Sequence, residues 1–526
     1  MIHFIFSMFR ALRQYFKPPR LFLIVVMGFF VIRIIFIGTY PPFNDESIHI
    51  AWARYMVENP GARFISMVWG GKQPLPFWLF GWAERLYPSD PFFAGRIVSL
   101  IVSFLSLIGV YFLTNVAFSS RKAAFWASVL FVLSPMSVFF GTQVLMEPML
   151  FALSTWLLTV FFLFIRHPDV KKAMLVGILA GIGFWIKSSV VHVIFLILGT
   201  SGVILFYWTF KKQWKNAYFL LFCLGLTLGA ALIVVSPLLT NPAWPAMQAW
   251  NARYGFTFND FLAFPIREWS TNVLSGGIWY LFYLTPLFLV LASISLIRKT
   301  NVRRQDRNTI YVLAVWGICW FFLTAITVRQ VSSRYFYPAS LPLFPLAGFT
   351  MAKIMEHSFK GFKKLLTVAL LFFLSLQTAM LVVSPPFFFG ILGKITPFAN
   401  ESYLVSGWES GYGLPQAIGW IKEKSKQYPM VVITRQDGGN PEDAILAAFW
   451  RNKRVLVLQI NPYDPTQKEK IVSQLATATY PTYFVSRGHQ YAELELYLHE
   501  EIRFPKPWGD EFVGIYKVRP YVKVSP

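Results

Sequence analysis

Apolar runs of 17–25 residues recur along the first 384 residues of this 526-residue chain. A run of that length can cross the roughly 30 Å hydrocarbon layer of a bilayer as a helix. Backbone groups in lipid must be satisfied within the segment, so such a chain is confined to a bundle of spanning helices. Eleven spans are expected, near 22–39, 93–117, 123–141, 149–165, 173–187, 190–210, 217–239, 277–297, 309–328, 337–355 and 365–384. The fifth and sixth are separated only by "KSS", which fits a tight hairpin or a re-entrant pair. The composition agrees: 56% hydrophobic, 18% aromatic and only 14% charged, too little charge to cover a soluble surface. The first run follows Arg10, Arg13, Lys17 and Arg20 and lacks a small-residue cleavage site, so it reads as an uncleaved anchor.

The net charge of +23 would suit a nucleic-acid binder, but its placement argues against one. Residues 1–384 hold 32 Lys/Arg and 11 Asp/Glu, whereas residues 385–526 hold 16 and 14. With the N-terminus in the cytoplasm and each run crossing once, the inside loops and N-terminal tail collect 21 of those 32 basic residues. They collect only Asp169, Asp306 and Glu356 among the acids. That asymmetry is a membrane-topology signal. It puts three pieces outside: the loop over 40–92, the loop over 240–276, and everything after 385.

The composition changes at that last boundary. "MVVIT", "RVLVLQI" and "TYFVS" read as strands, and "LPQAIGWIKEKSKQ" and "PEDAILAAFWRNK" as helices. The expected organisation is a transmembrane domain over 1–384 and a small α/β extracytoplasmic domain over 385–526, in the plasma membrane. Cys223 and Cys319 both lie inside apolar runs, in no metal-ligand spacing.

Chemistry is sought on the outer face. Asp45 and Glu46 adjoin each other in "YPPFNDESIH", just past the first run. Lys72 lies in "GGKQPLPFWLFGW", Arg96 in "FFAGRIVSL", Glu147 in "TQVLMEPML", Lys187 in "FWIKSS" and Arg334 in "RYFYPASLPLFP". Each basic residue taken singly is more often an interfacial anchor whose long side chain reaches water. Several cations and carboxylates returning to one membrane level are better explained by a polar outer cavity. Such a cavity suits an anionic lipid head group, with cations on its phosphate and carboxylates handling a proton.

The order DE, "GGKQPLPFW", "FAGRIVS", "MEP" and "WIKSS" resembles the GT-C glycosyltransferases. These include protein O-mannosyltransferases and the aminoarabinose transferase that modifies lipid A. The resemblance covers roughly residues 20–200. "KQPL" stands where "KPPL" is commoner, and Glu147 where Asp is frequent. It implies a GT-C fold and a polyprenyl-phosphate sugar donor; a P-loop and a dinucleotide-binding glycine motif are both missing. It further implies an inverting displacement in which Asp45 acts as general base. Glu46 would position substrate or share that role. Glu147 would bind sugar hydroxyls or orient the acceptor. Lys72, Arg96 and Lys187 would stabilise the leaving phosphate, with Arg334 a weaker phosphate candidate. No cofactor is assigned; a divalent metal bridging carboxylates and phosphate is left open. Lipid, glycan and protein acceptors all stay open, with membrane lipids as surroundings and mannose as a family-level donor sugar.

Two other classes fit parts of this pattern, a lipid-linked sugar flippase and a non-catalytic membrane scaffold. Trp69, Trp78, Trp82, Trp244, Trp250, Trp269 and Trp279 in the outer segments read chiefly as interfacial anchors, with sugar stacking as the alternative. His49, one helical turn from Asp45, could join the site, but its default reading is a loop or helix-face histidine. "GWESGYGLP" reads as a packing element between domains, with acceptor contact as the alternative, and Asp437 as a turn and cap residue.

Overall fold

The computed structural model describes residues 18–297, 303–356, 362–395, 401–436, 438–461, 480–488 and 498–518. Asp437 and the basic cluster up to Lys17 lie outside these residues, as do parts of the loops after 297 and 356.

Helix α1 (Phe22–Thr39) is apolar throughout except for Arg33 and stops just before Pro41 and Pro42. Proline disfavours helical backbone in the residue before it, which explains the stop. The first loop then folds into three helices, α2 (Asn44–Glu58), α3 (Ile65–Gly70) and α4 (Pro74–Leu86). Helix α5 (Pro91–Phe118) opens on an Asp90 cap that accepts from the Phe93 N–H at 3.0 Å. The bundle continues through α6 (Arg121–Val132), α7 (Pro135–Thr142), α8 (Met146–Arg166), α9 (Val170–Ile186), α10 (Val190–Phe210) and α11 (Trp214–Leu239). After the second loop, with α12 (Trp244–Tyr254) and α13 (Phe258–Leu262), come α14 (Ile266–Tyr283), α15 (Pro286–Ile297) and α16 (Arg304–Thr327). Helices α17 (Ser333–Ala339), α18 (Leu343–Glu356), α19 (Phe362–Val383) and α20 (Pro385–Ile395) complete it.

Among the described residues, six helices (α1, α5, α8, α10, α11, α16) are long and apolar enough to cross a membrane. The pairs α6–α7, α14–α15 and α19–α20 qualify together but are bent by 65°, 102° and 115°, which brings the number of spans to nine if each pair is one. Each bend falls where a proline opens the second helix, at Pro135, Pro286 and Pro385. The eleven expected runs all fall on helices. The fifth is the 17-residue α9, about 26 Å long. The tenth is split into α17 and α18 around Pro338 and Pro342. Helix α9 packs chiefly along α11 and only lightly against its neighbour α10. Gly177 and Gly181 let the two backbones approach, as small residues do between membrane helices. Arg33, fully buried in α1, donates to Ser137 Oγ at 2.9 Å and lies 4.0 Å from the Phe29 ring centroid, tying α1 to the bend between α6 and α7.

The C-terminal region forms a five-stranded sheet in the order β2-β1-β3-β5-β4. Its strands are β1 (Met430–Arg435), β2 (Val455–Ile460), β3 (Thr482–Arg487), β4 (Leu498–Pro505) and β5 (Phe512–Val518). β1 pairs in parallel with β2 and β3, whereas β5 is antiparallel to β3 and β4. Strand residues alternate between two faces. Ile433, Ile460, Phe484, Phe512 and Tyr516 pack on one. On the other, Val432, Val485 and Ile515 meet α21 (Leu414–Gln427) and α22 (Glu442–Ala448). That second core is continuous with Ile50, Ala53 and Met56 of α2 and Phe77 and Phe80 of α4. The sheet and the first loop therefore share one hydrophobic core.

"GWESGYGLP" is part of that junction. The Glu409 carbonyl accepts from the Asn44 N–H at 3.0 Å, and Gly411 lies against the Pro42 backbone with no room for a Cβ. Gly411→Ala is expected to destabilise the protein by about 1–3 kcal/mol through overpacking. Gly419→Ala, on α21 with nothing within 4 Å of an added Cβ, should instead be neutral or stabilising. Thermal unfolding of the two variants in detergent checks the contrast.

Candidate active site

In the first turns of α2, Asp45, Ile48, His49 and Trp52 lie on one face, spaced i, i+3, i+4 and i+7. That face lines a cavity of about 680 Å³ between the first loop, the starts of α8 and α17, the end of α9 and the sheet domain. Glu46 is the next residue round the helix and points elsewhere.

Five of the expected site residues meet in this cavity: Asp45, Lys72, Glu147, Lys187 and Arg334. Arg334, at the start of α17, forms an ion pair with Asp45 and reaches to 3.7 Å from Glu147. Lys187, the residue that ends α9, lies 2.5 Å from the same Glu147 oxygen and 4.5 Å from the Tyr335 ring centroid. Glu147 lies in the first turn of α8, where the helix dipole favours a carboxylate. Three cations thus surround two carboxylates contributed by widely separated segments.

Lys72 is held by a different device. Gly71 closes α3 in the left-handed conformation (φ 64°), and the Lys72 N–H returns to the Ser66 carbonyl at 3.0 Å. A side chain at Gly71 would also strike Trp250, so glycine is required there on two grounds. The Lys72 ammonium then lies 2.9 Å from His49 Nε2, while His49 Nδ1 lies 2.6 Å from the Val144 carbonyl. A carbonyl only accepts, so the imidazole proton belongs on Nδ1, and Nε2 is left to accept from Lys72. Burial, with the Lys72 charge adding to it, keeps the His49 ring neutral well below its ordinary titration range. Burial likewise lowers Lys72, to about 8, against the pull of Tyr335 and Glu147. His49, whose default reading is a loop or helix-face histidine, lines the cavity and supports one of its cations.

The expected roles of Glu46 and Arg96 do not fit their placement. Glu46 is fully buried and accepts from Arg96 Nε and Nη2 at 2.8 and 2.7 Å, from the Phe43 N–H at 2.8 Å and from the Val144 N–H at 3.0 Å. Arg96 gives its other donors to the carbonyls of Ile37, Tyr40 and Pro41. All its N–H groups are occupied, and none is left for a leaving phosphate. The pair fixes the corner between α1 and α2 and holds residue 144, from which His49 also hangs. Neither side chain lines the cavity, so the structure does not bring Glu46 and Arg96 together with the other five expected residues.

Trp69 and Trp250 line the cavity, whereas Trp78, Trp82, Trp244, Trp269 and Trp279 are not among its lining residues. Tyr335, beside Arg334 in "RYFYPASLPLFP", and the sheet-domain residues Gln436, Asp443, Trp450 and Gln459 also line it, and none of them was singled out for chemistry in the sequence. Asp443 accepts from the Gly439 N–H at 2.8 Å and from Gln459 Nε2 at 3.4 Å, and burial raises its carboxyl above the usual range. Among the described residues no group of three His, Cys, Asp or Glu is arranged to hold a metal ion.

Residues 71–240 match the family model described as dolichyl-phosphate-mannose-protein mannosyltransferase. No curated protein sequence matches the chain. Among solved structures, ArnT from Cupriavidus metallidurans bound to undecaprenyl phosphate is similar, with a TM-score of 0.58 and 12% identity over 94% of this chain and 96% of that one. The apo state of the same ArnT gives a TM-score of 0.57 and 14% identity, with the same coverage. Over 94% of its length, bundle and C-terminal sheet together, the chain therefore shares the fold of ArnT, with six to nine spans long and apolar enough to cross a membrane among the described residues, and residues 71–240 match the mannosyltransferase family model.

Proposed function

We propose that this protein is an inverting glycosyltransferase that moves a sugar from a polyprenyl-phosphate donor to an acceptor hydroxyl on the outer side of the plasma membrane. The observation that carries the reading is the convergence of Lys72, Lys187 and Arg334 on a cavity that also holds Asp45 and Glu147. Support comes from the matching family model and from ArnT, whose fold this chain shares and which was solved with undecaprenyl phosphate. The charge asymmetry of the loops supports an outward-facing cavity and a cytoplasmic N-terminus.

In this reading the donor phosphate enters among the three cations and draws Arg334 away from Asp45. The freed Asp45 carboxylate takes the proton of the acceptor hydroxyl as its oxygen attacks the anomeric carbon. The bond from that carbon to the phosphate oxygen breaks on the opposite face. Negative charge then grows on the leaving polyprenyl phosphate, where Lys72 and Lys187 meet it. Glu147 orients Lys187 and Arg334 and offers an acceptor to sugar hydroxyls.

Purified protein incubated with a radiolabelled polyprenyl-phosphate mannose should release free polyprenyl phosphate and a product of inverted anomeric configuration. Retention of configuration, or lipid movement without cleavage, would count against the reading. Lys72 adds a pH signature. Only its ammonium form attracts a phosphate, so donor binding should take up a proton and weaken as pH rises through about 8. Donor KM should rise several-fold between pH 7 and 9, and Lys72→Arg, charged throughout, should flatten that rise.

A further inference from the structure

The cavity has two chemically different ends. The charged end holds all of its lysine and arginine residues, Lys72, Lys187 and Arg334. From there a run of rings leads away toward the sheet domain. The Lys72 ammonium lies 5.8 Å from the Trp52 ring centroid, Trp52 lies 5.8 Å from Trp69, Trp69 lies 5.3 Å from Tyr55, and Tyr55 lies 6.2 Å from Trp450. The Trp450 indole N–H is fixed on Glu58 at 2.8 Å, so its polar handle is occupied and its ring is held in place. Tyr254, on α12, adds a largely exposed ring to the same lining. Facing these rings, the sheet domain contributes Gln436, Gln459 and the Asp443 carboxyl.

We propose that this aromatic and amide wall binds a carbohydrate, and that the acceptor is therefore a glycan hydroxyl. The inference rests on the transferase reading above and names its acceptor class. A pyranose ring has apolar C–H faces and a rim of hydroxyls. Flat rings match the faces. Side-chain amides, which both donate and accept, match the rim. An acceptor that carried its own phosphate would need a second set of cations. This end has none among its described lining residues, and Asp443 sits there instead. Rings held by their neighbours also lose little freedom on binding, which favours a weakly hydrophobic ligand such as a sugar.

The test supplies the full-length protein and a labelled polyprenyl-phosphate sugar with three acceptors: short neutral oligosaccharides, a serine- and threonine-containing peptide, and a lipid phosphate. Transfer to the oligosaccharides is expected. Trp69→Ala and Tyr254→Ala should raise the oligosaccharide KM about 3–10-fold each, with kcat at saturation held within about twofold. Trp82→Ala, an exposed tryptophan outside the cavity lining, should change neither. Transfer to the peptide or lipid phosphate in preference to the oligosaccharides overturns the inference alone. So do wall variants that match wild type on oligosaccharide. No donor cleavage in any arm overturns the transferase reading and this inference with it.

Discussion

Asp45→Asn is expected to lower kcat by about 10²–10⁴-fold while leaving the donor KM within a few-fold of wild type. Asparagine keeps the shape and a hydrogen-bonding oxygen but cannot take up the acceptor proton. The Arg334 guanidinium loses its ion-pair partner at the same time, which should hold the donor phosphate slightly tighter. The expected signature is thus a loss confined to kcat, since the missing group acts on the transition state. Asp45→Glu should recover part of the rate, because the carboxylate returns one methylene out of place. Steady-state kinetics with the donor and acceptor varied in turn decide it. A wild-type rate in Asp45→Asn would remove the base from this residue.

Glu46→Gln and Arg96→Ala are expected to act on folding and not on chemistry. Each leaves the other charge of a buried pair unmatched, a defect that costs about 3–5 kcal/mol. Arg96→Ala also strands the Ile37, Tyr40 and Pro41 carbonyls. Unfolding temperature in detergent should fall sharply for both, and expression yield with it. Asn44→Ala, at the same corner but uncharged, removes the side chain whose Oδ1 accepts from the Asn440 N–H at 2.8 Å and should cost much less. If Glu46→Gln melted like wild type but had lost transfer, Glu46 would belong in the chemistry after all.

The membrane bundle was legible because its signal is long and redundant. Runs of some twenty apolar residues survive errors of several residues at each end, and the loop charges report sidedness independently. The proline bends were less legible, since an apolar run reads straight across Pro135 or Pro286. Three strands and both helices of the C-terminal sheet domain were clear, but β4 and β5 were not. "LHEEIRFP" is an exposed edge strand whose charges hide its alternation.

At the site, order along the chain brought Asp45, Lys72, Glu147, Lys187 and Arg334 to attention, and folding brings all five together. The sequence could not separate Asp45 from Glu46. Adjacent helical residues diverge by about 100°, and only the packing of α2 against α4, α5 and α22 decides which one faces the cavity. That Arg96 lies outside the cavity was hidden for a related reason. An arginine at a helix start reads alike whether it meets a ligand or three backbone carbonyls of the preceding corner. His49 was visible beside Asp45 in "YPPFNDESIH", but its support of Lys72 and the sheet-domain wall were not, because a supporting hydrogen bond and a shared cavity exist only in three dimensions.

The most direct test of the account is a cryo-electron-microscopy structure of the protein with undecaprenyl phosphate. The account predicts the phosphate among Lys72, Lys187 and Arg334, with Arg334 turned from Asp45 toward it. A second cleft, lined by Tyr40, Phe92, Arg96, Tyr412 and Lys422, offers a contrasting location. A phosphate bound there, with the Asp45–Arg334 pair intact and the main cavity empty, would contradict the account.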